Sequence, residues 1–288
     1  MGKPEMTIRI VADSTCDLPQ AIVDEYGIAV VPLVINADGL SYLDGVDLTR
    51  QEFYERLPHF KSSPTTAVPG IGAFRNVYER LAAEGAREIL SIHIASSLSA
   101  VADTARLAAQ EVGAAKVTVL DSGQLSLGTG LMVLTAAEAA RDGAPMRDLL
   151  DRLADQGQRT HVIAALDTVE FLRRSGRVSG FQSGIATLLK VKPLLTMHNG
   201  RAGSERTRTR ARALRRVIEL TAALGPLERL ALLHTNAPRE AEALAEQARH
   251  LFPQGQALLS ANVTSVIGSH IGPGAVGFAC IAARASAA

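Results

Sequence analysis

Tryptophan is absent from the 288-residue chain, and the aromatic residues together make up 4 % of it. A protein that reads bases or sugar rings needs aromatic stacking platforms, so this scarcity counts against both classes of ligand. Cysteine is equally scarce: Cys16 and Cys280 are the only two. With no CxxC pair, a disulfide framework and a thiolate metal site both lack their residues. Charge of either sign is not in excess. Thirty Lys and Arg against 29 Asp and Glu leave a formal net charge of +1, so no global field draws the chain to nucleic acid or to an anionic membrane. The apolar runs are too short to span a bilayer. The opening "MGKPEMTIRIVADS" lacks the basic-then-apolar order of a signal peptide, and Gly2 is not followed by the hydroxyl residue that myristoylation requires. No HExxH, EF-hand spacing or phosphate loop occurs. The expectation is a cytoplasmic protein with no integral membrane segment, no metal and no cofactor.

What is present is a large apolar share, 47 %, enough for a sizeable core and for two domains. The first half alternates. "IRIVAD" (Ile8–Asp13), "IAVVPLVI" (Ile28–Ile35), "EILSIHI" (Glu88–Ile94) and "KVTVLD" (Lys116–Asp121) read as strands, and helical patterns separate them. "GTGLMVLTAAEAA" is apolar on every side and predicts a buried helix. Alternating β and α implies a mostly parallel sheet with helices on its faces. "DQGQRT" (Asp155–Thr160) marks the boundary, giving an N-terminal α/β domain over 1–158 and a C-terminal α/β domain over 159–288. The second half adds strands near Val191–Thr196, Arg229–His234, Gln256–Val263 and Ala275–Ala283.

Three strands of the first half end in hydroxyl and carboxyl groups: "VADST" with Ser14, "HIASSLS" with Ser96, Ser97 and Ser99, and "LDSG". Open α/β sheets bind ligands beyond the carboxyl ends of their strands, near free helix N–H groups. Ser, Thr and Asp also cap helices regardless of function, so each group alone reads as a cap and the cluster as a candidate site. "SSPTTAVPG" (Ser62–Gly70) is a hydroxyl-rich loop stiffened by Pro64 and Pro69. "GPGAVG" (Gly272–Gly277) matches the dinucleotide pattern G-x-G-x-x-G. That pattern requires a following helix, a second strand and a distant acidic residue. Here Pro273 interrupts it, a strand-like segment follows, and no Asp or Glu occurs after Glu246. The nucleotide reading fails on those grounds, leaving a flexible glycine loop beside His270. Two basic groups complete the inventory: Arg173, Arg174 and Arg177, then Arg201, Arg206, Arg208, Arg210, Arg212, Arg215 and Arg216. A solvated helix face accounts for the later ones; an acidic or phosphate-bearing partner is the sharper reading.

Taken in order, "VADSTCDLP", "YLDGVDLTRQEFYERL", "PTTAVPG", "SIHIASSLSAVADTARLAA", "VTVLDSGQLSLGTGLMV", "LDTVEFLRRSGRVS", "LLKVKPLL", "ERTRTRARAL" and "VIGSHIGPGAVGFA" resemble the DegV family over nearly the whole chain. The combination is specific where each piece is not. The resemblance implies two α/β domains with one long-chain fatty acid buried between them. It implies a carrier that is not itself an enzyme, whose bound carboxylate is phosphorylated by a separate ATP-dependent fatty acid kinase. His270 in "IGSHIGPGAVG" then stands near the carboxylate, with Gly272 and Gly274 letting backbone approach. Thr66 corresponds to the first Thr of the family's "TSQPS" loop, although Ala67, Val68 and Gly70 replace its Ser, Gln and second Ser. "SSLSAV" keeps Ser96, Ser97 and Ser99 but loses the family's Gly-Thr; Ser97 is the first candidate for the carboxylate and Ser96 the second, with Ser14 a weaker one. Arg174, Arg206 and Arg208 fall in segments tied to kinase docking. The physics is compatible: a buried carboxylate needs paired donors, and a tail of about 14 methylenes contributes roughly 11 kcal/mol before ordering costs, at about 0.8 kcal/mol each. Two other classes remain open from the residues alone, a serine hydrolase of acyl esters using Ser97 and His270, and a regulatory binding protein using the arginines.

Overall fold

The computed structural model describes residues 8–176 and 191–284. Among the described residues, thirteen strands are arranged in three sheets. A four-stranded parallel sheet contains β1 (Ile8–Asp13), β2 (Ala29–Val31), β6 (Glu88–His93) and β7 (Lys116–Asp121) in the order β2-β1-β6-β7. A small antiparallel sheet orders β3 (Val34–Ala37), β4 (Leu40–Leu43) and β5 (Thr65–Ala67) as β4-β3-β5. The remaining six strands are β8 (Thr160–Ala165), β9 (Lys192–His198), β10 (Arg201–Thr207), β11 (Leu227–His234), β12 (Leu259–Asn262) and β13 (Val276–Ala282). They form one mixed sheet in the order β10-β9-β8-β13-β11-β12, antiparallel except between β11 and β12.

The parallel sheet arises as the alternation predicts. Its central strands β1 and β6 are buried along nearly their whole length, as crossover helices on both faces require. Among the described residues the α-helices are α1 (Gln20–Tyr26), α2 (Arg50–Arg56), α3 (Ile71–Ala83), α4 (Val101–Gln110), α5 (Leu127–Arg141), α6 (Met146–Gly157), α7 (Glu170–Arg174), α8 (Arg210–Ala222), α9 (Pro238–Gln247) and α10 (Ser265–Ile271). α5 is the buried helix that its composition predicts, with twelve of its fifteen residues buried. It packs on β1 and β6 and also on β8 and β13, so one apolar core runs from Ile8 and Leu90 through α5 to Val162, Met197 and Leu233.

Three expectations need correction. "IAVVPLVI" is not one strand. Pro32 has no N–H to give to a ladder, and the chain leaves the parallel sheet after Val31 to enter the small sheet at Val34. Thr66 lies in a strand rather than a loop, with β5 paired to β3 and Thr66 opposite Ile35. "SVIGSHI" is a helix where none was expected, so His270 sits in the last turn of α10, beside the glycine loop that follows it. Arg177 lies outside the described residues.

Candidate functional site

α10 carries the site and is fixed at both ends. At its N-terminus the Thr264 side chain accepts from Val266 N. Thr264 is itself held twice: its N–H donates to Asp17 Oδ1 at 2.7 Å and its hydroxyl donates to Asp44. Asp17 also accepts from the Ser126 hydroxyl at 2.5 Å and lies 3.4 Å from Arg50 Nη2. Tyr54 of α2 donates to Val263 O at 3.1 Å, and its hydroxyl comes so close that a Cβ on Gly268 would lie 2.4 Å from it. At the C-terminus Gly272 takes φ +74, and the Phe171 ring of α7 covers its Cα so closely that a Cβ would meet the ring at 2.3 Å. Only glycine satisfies both conditions.

Burial pushes the fully buried Asp17 carboxyl up to about 6, against the opposing pull of Arg50 and the Ser126 and Thr264 hydrogen bonds. A carboxyl raised in the folded state favours folding most when protonated, below about pH 4, and that contribution is lost as pH rises through about 6. The gap of about two pKa units corresponds to about 3 kcal/mol. The stability difference between wild type and Asp17→Asn, taken from urea midpoints, should therefore shift against the wild type by up to about 3 kcal/mol from pH 4 to pH 7. A constant difference would mean that Asp17 is not the group that titrates.

At the far end of α10, His270 Nε2 lies 2.8 Å from Thr66 Oγ1 of β5. This pair stands between two chambers, for both residues line each of them. On one side is a cavity of ≈ 130 Å³ with twenty lining residues, of which five are polar (Thr15, Thr66, Ser99, Thr196 and His270) and fifteen are apolar. It lies between the parallel sheet's loops, α10, and the β8 and β9 face of the mixed sheet, so residues from both halves of the chain enclose it. On the other side is a chamber of ≈ 170 Å³ whose lining includes Ser63, Thr65, Phe171, Arg174, Ser175 and Ser269. The arrangement suits an amphipathic ligand, with an apolar body in the first chamber and a polar end at the Thr66–His270 pair.

The other expected residues are placed less uniformly. Ser96 and Ser97 are exposed and line neither chamber. The Ser96 N–H donates to Asp121 at 3.1 Å, while Ser99, two residues beyond Ser97 in the same loop, lines the apolar cavity. Ser14 is buried, its hydroxyl accepts from Leu33 N at 3.2 Å, and it lines neither chamber. Gly274, at φ +83, donates its N–H to Thr235 O at 2.7 Å. Arg174 pairs with Glu170 and lines the outer chamber. Arg206 and Arg208 are exposed, and neither has an ion pair among the described residues. Arg206 stands opposite Pro193, beside the end of β8 that leads to α7, so Arg174 and Arg206 share one end of the mixed sheet. Arg210 departs from the solvated-face reading: half-buried, it donates to Gly274 O at 2.6 Å and to Ala165 O at 3.3 Å, bracing the glycine loop.

The sequence reading also missed a buried polar chain. The Tyr78 hydroxyl donates to Ser91 Oγ at 2.8 Å, Ser91 Oγ lies 2.7 Å from His93 Nε2, and His93 Nδ1 lies 3.0 Å from Asp13 Oδ2. Burial raises the Asp13 pKa, but the His93 hydrogen bond and charge, with bonds from Thr15 and Ile94, more than offset this and leave the carboxyl below its ordinary value. The contacts run Ser–His–Asp, as in a hydrolase. Yet Ser91, His93 and Asp13 are fully buried and line neither chamber, and a nucleophile that no substrate reaches performs no hydrolysis. The chain instead satisfies polar groups inside the parallel sheet. Among the described residues there is no group of three or more metal-ligating side chains, and no helix is long and apolar enough to cross a membrane.

Fold and site together define an α/β protein that encloses an apolar cavity behind a hydroxyl–imidazole pair. The chain belongs to the DegV family: the family model, described as uncharacterised protein of the DegV family, matches residues 7–283. A DegV domain-containing protein of Deinococcus radiodurans is 36 % identical over 278 residues, covering 95 % of this chain and 98 % of that one. Among solved structures, a DegV family protein of Thermus thermophilus that binds fatty acid superposes with a TM-score of 0.87 at 35 % identity, covering 96 % of this chain and 99 % of its own. DegV of Bacillus subtilis, a fatty acid binding protein, gives 0.86 at 30 % identity, with 95 % and 99 % covered.

Proposed function

We propose that this protein carries one long-chain fatty acid, without catalysing a reaction itself, and presents its carboxylate to a separate ATP-dependent kinase that forms the acyl phosphate. The observation that carries the reading is the division of polarity at Thr66 and His270, an apolar cavity on one side and a polar chamber with Arg174 on the other. The tail lies in the cavity between domains 1–158 and 159–288; lining residues drawn from both sides of that boundary support the division. Thr66 and His270 hold the carboxylate. Of the serines in the loop after β6, Ser99 lines the cavity and contributes to the head group's surroundings, whereas Ser97 and Ser96 line neither chamber. Ser14, Gly272 and Gly274 shape the backbone around the head group. The hydrolase alternative is disfavoured because Ser97, the nucleophile it would need, lines neither chamber, while His270 lies 2.8 Å from Thr66. Both cysteines are free thiols, which suits a reducing cytoplasm.

Arg174, Arg206 and Arg208 form the docking surface for an acidic face of the kinase. Such charges act mainly on encounter rate and on salt sensitivity. The double variant Arg206→Glu/Arg208→Glu should slow acyl phosphate formation with a cognate kinase by roughly tenfold at low ionic strength, with a smaller deficit at high ionic strength. Its fatty-acid affinity should be unchanged, because neither residue lines the cavity. Unchanged phosphorylation would remove these arginines from the docking surface, and lost lipid binding would assign them to the pocket.

A further inference from the structure

A second, smaller cavity of ≈ 30 Å³ adjoins the main one of ≈ 130 Å³. The two share five lining residues, Leu125, Val162, Ala164, Ile267 and Ile271, and none of these side chains is polar. The main cavity touches β8 and β9, whereas the smaller one continues from β8 past β13 to Leu233 of β11 and is closed by Val263. At about 4.8 Å per strand, β11 lies about 10 Å to the side of β8. Ile267 and Ile271, one helical turn apart on a single face of α10, roof both spaces. Ser126, His234 and Thr235 also line the side cavity, but the Ser126 hydroxyl is given to Asp17, His234 Nδ1 accepts from Ala237 N and the Thr235 hydroxyl accepts from Ala275 N; the space is therefore a poor site for water, and the side chains around it lack contacts that a carbon group would supply.

Resting on the fatty-acid reading, we infer that the side cavity is a subsite for a methyl branch, and that the preferred ligand is a branched-chain rather than a straight saturated fatty acid. Its volume sets the size of the group. A water-sized sphere needs about 10–15 Å³ on the same measure, so ≈ 30 Å³ takes one or two carbons. A cis double bond would instead turn the whole remaining tail, which needs more room than this space has. Leu233 and Val263 belong to the side cavity alone, so its size can be changed without touching the main cavity.

The test is a binding series of hexadecanoic acid and its monomethyl derivatives, with the branch moved carbon by carbon along the same main chain. At one or two adjacent positions the added methyl should tighten binding by about fourfold, the equivalent of one buried methylene; elsewhere it should be neutral or weaken binding by overpacking. Val263→Ile should erase the gain and leave hexadecanoate affinity unchanged. Leu233→Ala should move the preference from a methyl to an ethyl branch, which also answers the question if the isoleucine variant folds poorly. A series in which no position tightens binding, or a gain that survives in both variants, overturns the subsite. If hexadecanoate and every derivative fail to bind, the fatty-acid reading itself is what has failed.

Discussion

Gly277→Ala will cost about 3 kcal/mol or more of stability, a larger loss than any other single methyl added to the "GPGAVG" segment. Gly277 lies in β13 opposite Ala164 of β8, in the middle of the mixed sheet. A Cβ there would stand 2.1 Å from Ile163 O and 2.5 Å from Ala164 Cα. Both are backbone atoms, so relief requires prying apart two strands that other strands hold in place. Overpacking of a tight core costs roughly 1–3 kcal/mol when side chains can give way; here they cannot. Gly274→Ala is the comparison. Its strain comes from φ +83, and the nearest atom to its Cβ, Asp167 Cβ, is 3.2 Å away, so its cost should be nearer 1 kcal/mol. Urea midpoints of the two variants decide the matter. A Gly277 variant within about 0.5 kcal/mol of wild type would show that β8 and β13 can separate at little cost.

Thr66→Ala and His270→Ala will each weaken fatty-acid binding by roughly ten- to a hundredfold, the loss expected when one hydrogen bond to a charged group is removed. The double variant should lose less than the product of the two, because the residues touch each other at 2.8 Å and so are coupled. A long-chain alcohol of the same length is the control: with no carboxylate to hold, its affinity should change little in any of the variants. Phosphorylation by the kinase should fall further than binding, since the tail supplies most of the affinity while the pair sets the position of the reacting oxygen. Equal losses for acid and alcohol would mean that the pair shapes the cavity rather than binding the head group.

Much of this was legible before the fold was known. The parallel sheet follows from alternating apolar strands and amphipathic helices, and α5 announces itself by having no polar face. Thr66 and His270 are 204 residues apart, and no local pattern joins them; their meeting was reachable only through resemblance to a family. What the sequence hid has physical causes. α10 is seven residues long with two glycines just beyond it, too short and too poor in local propensity to declare itself. It exists because Asp17, Asp44 and Tyr54 hold it from the other half of the chain. Ser99 and Thr196 line the cavity, but a hydroxyl gives no sequence signal of whether it faces ligand or solvent. Arg210 has the same sequence context as its exposed neighbours, yet its guanidinium donates to Gly274 O. In the "GPGAVG" stretch, Gly272 admits the Phe171 ring, Gly274 supplies a left-handed turn and Gly277 a close strand contact, none of which involves a phosphate.

The most direct test of the central claim is native mass spectrometry of the protein purified from cells grown with lipid, followed by denaturation and identification of whatever is released. The account predicts one long-chain fatty acid per chain, displaced by added fatty acid in the wild type and depleted in Thr66→Ala/His270→Ala. A folded protein that releases no acyl chain and takes none up on incubation would contradict it.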